Sequence, residues 1–134
     1  MASASFNWAN YLTLADELGN RTDEAALRSS ISRAYYYIYH LGLARAVSNG
    51  YRRNPGEPSH IQLWNLFSEN PEGVSQKLAQ IALRLKYRRE RADYDDIFPR
   101  IGEEVPVMLE EAQLFAKLLE TLPLRHPSKK SQRQ

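Results

Sequence analysis

A chain of 134 residues, 43% hydrophobic and 25% charged, has room for one domain with a real core and too little length for two independent ones. It has no cysteine, which excludes disulfides, thiolate catalysis and cysteine-ligated metals. The formal charge of +2 hides an uneven layout: Arg84 to Arg91 holds five basic residues against Glu90, and the stretch from Arg125 onward holds four with no acid. Such patches attract polyanions or are simply solvated.

In chain order, the first helix is expected from about Asn7 to Leu18, capped by Ser5, with Trp8, Tyr11, Leu12, Ala15 and Leu18 on one face. Gly19-Asn20 ends it, and Thr22 or Asn20 is expected to cap a long helix from Asp23 to Asn49. Leu27, Ile31, Ala34, Ile38 and Leu41 form the apolar seam of that helix. Around the seam, Tyr37 is placed on one flank beside Arg33 and His40, Tyr35 and Tyr39 on the other, and Tyr36 points away. Large side chains on every side predict the central helix of a bundle. Part of its outer surface should then face a second subunit or a ligand.

Tyr51 to Pro58, rich in proline and glycine, reads as a surface loop free to vary without disturbing the core. Ser59 should cap a short helix carrying Ile61, Trp64 and Phe67 inward, and Asn70-Pro71-Glu72-Gly73 turns the chain again. A third long helix spans about Val74 to Tyr94, with Leu78, Ile81, Ala82, Leu85 and Ala92 buried, Arg88 and Arg89 on or beside the buried side, and Arg84 and Arg91 on another face. Ile97 to Gly102 is a loop. The last helix begins between Glu103 and Val107, tolerates Pro106 in its first turn, and uses Met108, Ala112, Phe115, Leu119 and Leu122. The expected architecture is an all-α up-and-down bundle of four main helices and one short extra helix, occupying residues 1–122. Residues 123–134 form a basic, disordered tail. No run of about eighteen apolar residues occurs. Met1 to Ser5 is too short and polar to open a signal peptide, so a soluble, cytoplasmic protein with no membrane association is expected.

Two constellations could carry chemistry. Arg33 and His40 lie two turns apart on one flank, where both could touch one phosphate, or the histidine could act as acid or base beside a charge-stabilising arginine. Equally, Arg33 could pair with a carboxylate and His40 could bond within the bundle. The second runs from Arg88 to Asp96. A buried Arg89 needs a partner, which Asp93, one turn on, can supply. A tyrosine hydroxyl or carboxylate on the central helix could serve Arg89 equally. Alternatively Arg89 meets a phosphate in a cleft between two subunits and Asp93 and Tyr94 orient it, with Arg88, and Tyr37 beside Arg33 and His40, as further ligand-binding candidates. No metal or cofactor is expected, because neither His60 nor His126 has a second histidine at ligand spacing and no glycine-rich phosphate loop occurs.

Phe6-Asn7-Trp8, Ser32-Arg33-Ala34-Tyr35-Tyr36 with Tyr39-His40, His60 leading into Trp64 and Phe67, and Arg89-Glu90-Arg91-Ala92-Asp93-Tyr94 together resemble the HEPN superfamily, from about Phe6 to Thr121. The likeness is to its small stand-alone prokaryotic members. The resemblance implies a bundle that forms a homodimer with a positively charged cleft. It further implies binding of RNA or a nucleotide, and a place in a toxin–antitoxin or defence system beside a minimal nucleotidyltransferase partner. Some members are metal-independent RNases with an arginine followed, four to six residues later, by a histidine late in the bundle. Here Arg88 is followed at that point by Asp93, and no histidine occurs between His60 and His126. An RNase reading would therefore rest on Arg33, His40 and Arg89. The alternatives are RNA or nucleotide binding in an arginine-rich cleft and a purely regulatory module that docks its partner.

Overall fold

The structure, a computed structural model, describes residues 5–128. Its regular elements are all helices, as the periodicity predicts: α1 (Ala9–Gly19), α2 (Glu24–Ser48), α3 (Ser59–Glu69), α4 (Gly73–Tyr94) and α5 (Ile101–Thr121). Among the described residues there is no strand, and no helix is long and apolar enough to cross a membrane. The helix read as a short extra one, α3, has 11 residues, the same as α1.

α2 is the hub. It packs along α1, α4 and α5, while α3 rests mainly on α4. Leu27, Ile31, Ala34 and Ile38 are buried as the seam requires, joined by Ser30, Tyr35, Tyr37 and Gly42, and Leu41 is half-buried. Trp64, Phe67, Leu78, Ile81, Leu85, Val105 and Phe115 close the core from the other helices. At about 1.5–3 kcal/mol for each large apolar side chain removed from water, this burial is the main force holding the bundle. Polar links fix the register: Ser30 Oγ donates to Ala15 O across 2.7 Å, and Ser75 Oγ donates to Phe67 O across 2.8 Å.

Two arginines of α2 finish the neighbouring helices. Arg28 donates from Nη1 to Arg91 O, Ala92 O and Asp95 O and from Nη2 to Asp96 O, covering the end of α4. Arg45 donates to Leu119 O, Leu122 O, Pro123 O and His126 O, covering the end of α5. Carbonyls left over at a helix end need such donors, and a cation there also suits the helix dipole.

Several boundaries differ from the sequence reading. α1 starts at Ala9, where Asn7 Oδ1 rather than Ser5 accepts the free amide. The cap of α2 is Asp23, whose carboxylate accepts from Ala26 N, in place of Thr22 or Asn20. Ser59 is the first residue of α3 and makes no capping bond; Ile61 points outward, and Leu63 and Leu66 take its place in the core. α5 begins at Ile101, because Arg100 takes the left-handed conformation (φ 58°) that turns the chain into the helix, so Pro106 lies inside α5 rather than in its first turn. The loop after α2 is less free than expected. Tyr51 is buried, and the Gln62 amide grips Asn54 N, Asn54 O and Glu57 O. Of the expected disordered tail, Pro123 to Ser128 are described: Arg45 of α2 donates to Pro123 O and His126 O, and Pro127 is buried; residues 129–134 lie outside the described residues.

Candidate functional site

The outward side of α2 carries a continuous aromatic and cationic surface. At the start of α1, Trp8, its cap residue, and Tyr11 meet edge to face at 5.0 Å, with the half-exposed Phe6 against both. His40 stacks on Trp8 at 3.4 Å with nearly parallel planes, and the Arg33 guanidinium lies 4.8 Å from the Tyr11 ring centre. Tyr39 links this half to the next, touching His40 at 5.3 Å and stacking on His60 at 4.2 Å. Helical spacing explains the grouping. Residues 33, 36 and 40 of α2 project along one strip, and 35 and 39 follow on its edge.

Tyr36 does not point away from the bundle's chemistry, as the sequence reading had it. Two guanidiniums approach its ring, Arg33 at 5.6 Å and Arg89 at 5.4 Å. Arg89 also lies 5.3 Å from the Tyr35 ring, is 8% exposed, and has Asp93 Oδ2 at 3.7 Å from Nη1. The expected pairing of Arg89 with Asp93 is therefore present but loose. The alternative pairing of Arg33 with a carboxylate is not present among the described residues: aromatic faces are what surround it.

Beneath this surface, Trp64 Nε1 donates to the Tyr35 hydroxyl at 3.0 Å, and that hydroxyl is 2.6 Å from His60 Nδ1. An indole can only donate, so the phenol oxygen accepts from Trp64, while the bond to His60 runs in either direction according to the imidazole tautomer. Burial first, and then the positive charges of Arg89 and Lys86, push the His60 pKa down to about 4. Near neutral pH His60 is an uncharged acceptor and donor beside an arginine. Burial likewise lowers the pKa of His40 and raises that of Tyr35.

Three residues expected at the site lie elsewhere. Arg88 Nε is 3.0 Å from Glu104 Oε1, so its charge is turned toward α5. Tyr37 lies one turn from Arg33 on α2 but is buried, its pKa raised by that burial and then by Glu120 of α5. Tyr94 is 75% exposed and makes no ring contact among the described residues. Conversely, His60, Tyr35, Tyr36, Tyr39, Trp8 and Ser32 are not among the site residues that the sequence singles out. The available signal was His60 and Trp64, one turn apart on α3, opposite a helix with four tyrosines.

A cavity of about 300 Å³ opens elsewhere, between α3 and the loop before it, lined by Tyr51, Arg52, Asn54, Glu57, Gln62 and Glu69 among others. The aromatic face offers ring edges and guanidiniums side by side, a chemistry suited to a chain of stacked bases. Among the described residues no group of acidic, histidine or cysteine side chains could hold a metal ion. No protein-family model, no curated protein and no solved structure matches the chain.

Proposed function

We propose that the protein binds RNA or a nucleotide on the arginine-flanked aromatic face of α2. The observation that carries this reading is that Arg33 and Arg89 both approach the Tyr36 ring, two guanidiniums with only Asp93 loosely opposing them. Phosphates are recognised by planar guanidinium donors, and unpaired bases by aromatic faces worth about 1–3 kcal/mol each. The segments that build this face, Ser32 to His40 and Arg89 to Asp93, are also those that resemble the HEPN superfamily. That resemblance adds a homodimer, a nucleotidyltransferase partner and a toxin–antitoxin or defence setting to the proposal.

The test is fluorescence anisotropy of a labelled polyuridine decamer, titrated at several salt concentrations. Arg33→Ala should weaken binding and reduce the salt slope by about 0.7, the loss of one phosphate contact on a single strand. If Arg33→Ala binds like the parent while deletion of 124–134 abolishes binding, the basic tail is the binder and this reading fails.

His60 supports a second reading, metal-independent RNA cleavage. In the tautomer whose Nδ1–H donates to the Tyr35 hydroxyl, Nε2 of the neutral imidazole is free to accept a proton, and Arg89 supplies the stabilising charge that such a reaction needs. Incubation with RNA in EDTA decides it. Cleavage that persists in His40→Ala and disappears in a folded His60→Ala assigns the proton transfer to His60. No cleavage by the parent removes the enzyme reading.

A further inference from the structure

Arg89 is a fixed cation whose charge is only partly answered. Its Nε is buried with no hydrogen-bond partner, and its contact with Asp93 is 3.7 Å long. A well-made arginine–carboxylate pair has two parallel bonds of about 2.8 Å. The second anchor of Asp93 is equally slack: Ser32 Oγ donates to Oδ2 across 3.4 Å. The two partners also differ in freedom, because the Arg89 side chain is 10% exposed and that of Asp93 is 32% exposed. Other acids nearby are engaged elsewhere: Glu90 by Lys86, Asp95 by Arg91 and Glu104 by Arg88.

We infer that Asp93 is a built-in competitor for the ligand: in the free protein it occupies the place of a phosphate at Arg89, and it is displaced when a phosphate group of the ligand arrives. The inference rests on the reading of this face as an RNA or nucleotide site and adds how that site is held in check. A buried arginine with no counter-charge destabilises a fold by several kcal/mol, so the free protein needs a carboxylate here. A carboxylate at full bidentate contact would hold Arg89 too firmly to be exchanged. Asp93 meets the first need without the second. It stands at the rim, attached by two long contacts, and a rotation about its own side chain carries it into water while α4 stays in place. The Ser32 hydroxyl, released from Asp93, is then free to donate to the phosphate.

This arrangement makes stability and affinity move in opposite directions. Asp93→Asn should lower the melting temperature, because Arg89 loses its counter-charge, and tighten binding of the polyuridine decamer by roughly fivefold or more, the lower end of an ordinary coupling between competing interactions. Ser32→Ala, which loosens Asp93 without changing the charge, should tighten binding by less. Asp96→Asn removes the same charge at an exposed position and should change affinity little. If Asp93→Asn binds no tighter than Asp96→Asn while the parent binds well, the competitor role is wrong and RNA binding stands. Weaker binding in Asp93→Asn makes Asp93 an orienting residue and also overturns the inference. Failure of the parent and of Asp93→Asn to bind the decamer removes both readings. Should Asp93→Asn not fold, unchanged or weaker binding by Ser32→Ala is enough to reject it.

Discussion

The Tyr35 hydroxyl lies 2.6 Å from His60 Nδ1, so a fully buried side chain of α2 is tied by a hydrogen bond to the first turn of α3. The same oxygen accepts from Trp64, which leaves no free polar group in the trio's interior. A buried phenol is tolerated in a core when its hydroxyl is used in this way.

Tyr35→Phe keeps the ring and removes the oxygen, stranding the indole N–H of Trp64 and Nδ1 of His60. A buried group left without its partner costs about 1–3 kcal/mol. Urea denaturation of the variant should show a lower midpoint with an unchanged slope, and the far-ultraviolet spectrum should stay helical.

His60 also gives the fold a pH dependence with a definite sign. Its pKa falls from 6.5 to about 4 on folding, first through burial and then through Arg89 and Lys86. Between those values the unfolded chain binds the extra proton, so stability rises with pH across that window. The contribution is complete above about pH 6.5, shrinks as the pH drops toward about 4, and changes no further below that. Urea midpoints measured from pH 7 to pH 4 should fall less steeply in His60→Gln than in the parent, carboxylate titration being common to both.

Arg28→Ala uncovers four carbonyls at and beyond the end of α4 and breaks the contact with Glu24 at 2.8 Å. Hydrogen bonds to a charged group are worth about 1.5–3 kcal/mol each, and several share this guanidinium, so the loss should reach at least the lower end of that range. Lysine, a point charge without the planar fork, should restore only part of it. Chemical denaturation of Arg28→Ala and Arg28→Lys beside the parent measures both.

Gly42→Ala sets two opposing effects against each other. Alanine improves helix propensity by about 1 kcal/mol, but its Cβ would stand 2.9 Å from the Trp64 ring. Forcing a methyl into a packed core costs about 1–3 kcal/mol, and the rigid indole can yield only by shifting as a whole. The net effect should be a lower melting temperature together with a shifted tryptophan emission, since Trp64 must move and disturb its bond to Tyr35.

The all-helical class and most of the core were legible because the apolar spacing in α2, α4 and α5 is long and regular. Leu78, Ile81, Leu85, Met108, Phe115 and Leu119 are all buried as that spacing requires. Ends were less legible because they are decided by single local bonds. Asp23 outcompeted Thr22 as a cap, and a left-handed Arg100 started α5 earlier than its apolar pattern suggested. The site was half legible. Periodicity placed Arg33, His40, Arg89 and Asp93 on their helices, yet it could not say that Tyr37 would turn to α5 or that α3 would bring His60 under Tyr39. Those facts depend on how helices are laid against one another, which a one-dimensional pattern does not contain.

Arg28 and Arg45 also bear on the order in which the chain assembles. The carbonyls they collect lie more than sixty residues later in sequence, so neither helix end has its donors until α2 is already in place. Contacts of such long separation carry the loop-closure entropy of everything between them. α2 should therefore belong to the folding nucleus, with the C-terminal turns of α4 and α5 consolidating after the transition state. Substitution of either arginine should speed unfolding and leave the refolding rate nearly unchanged.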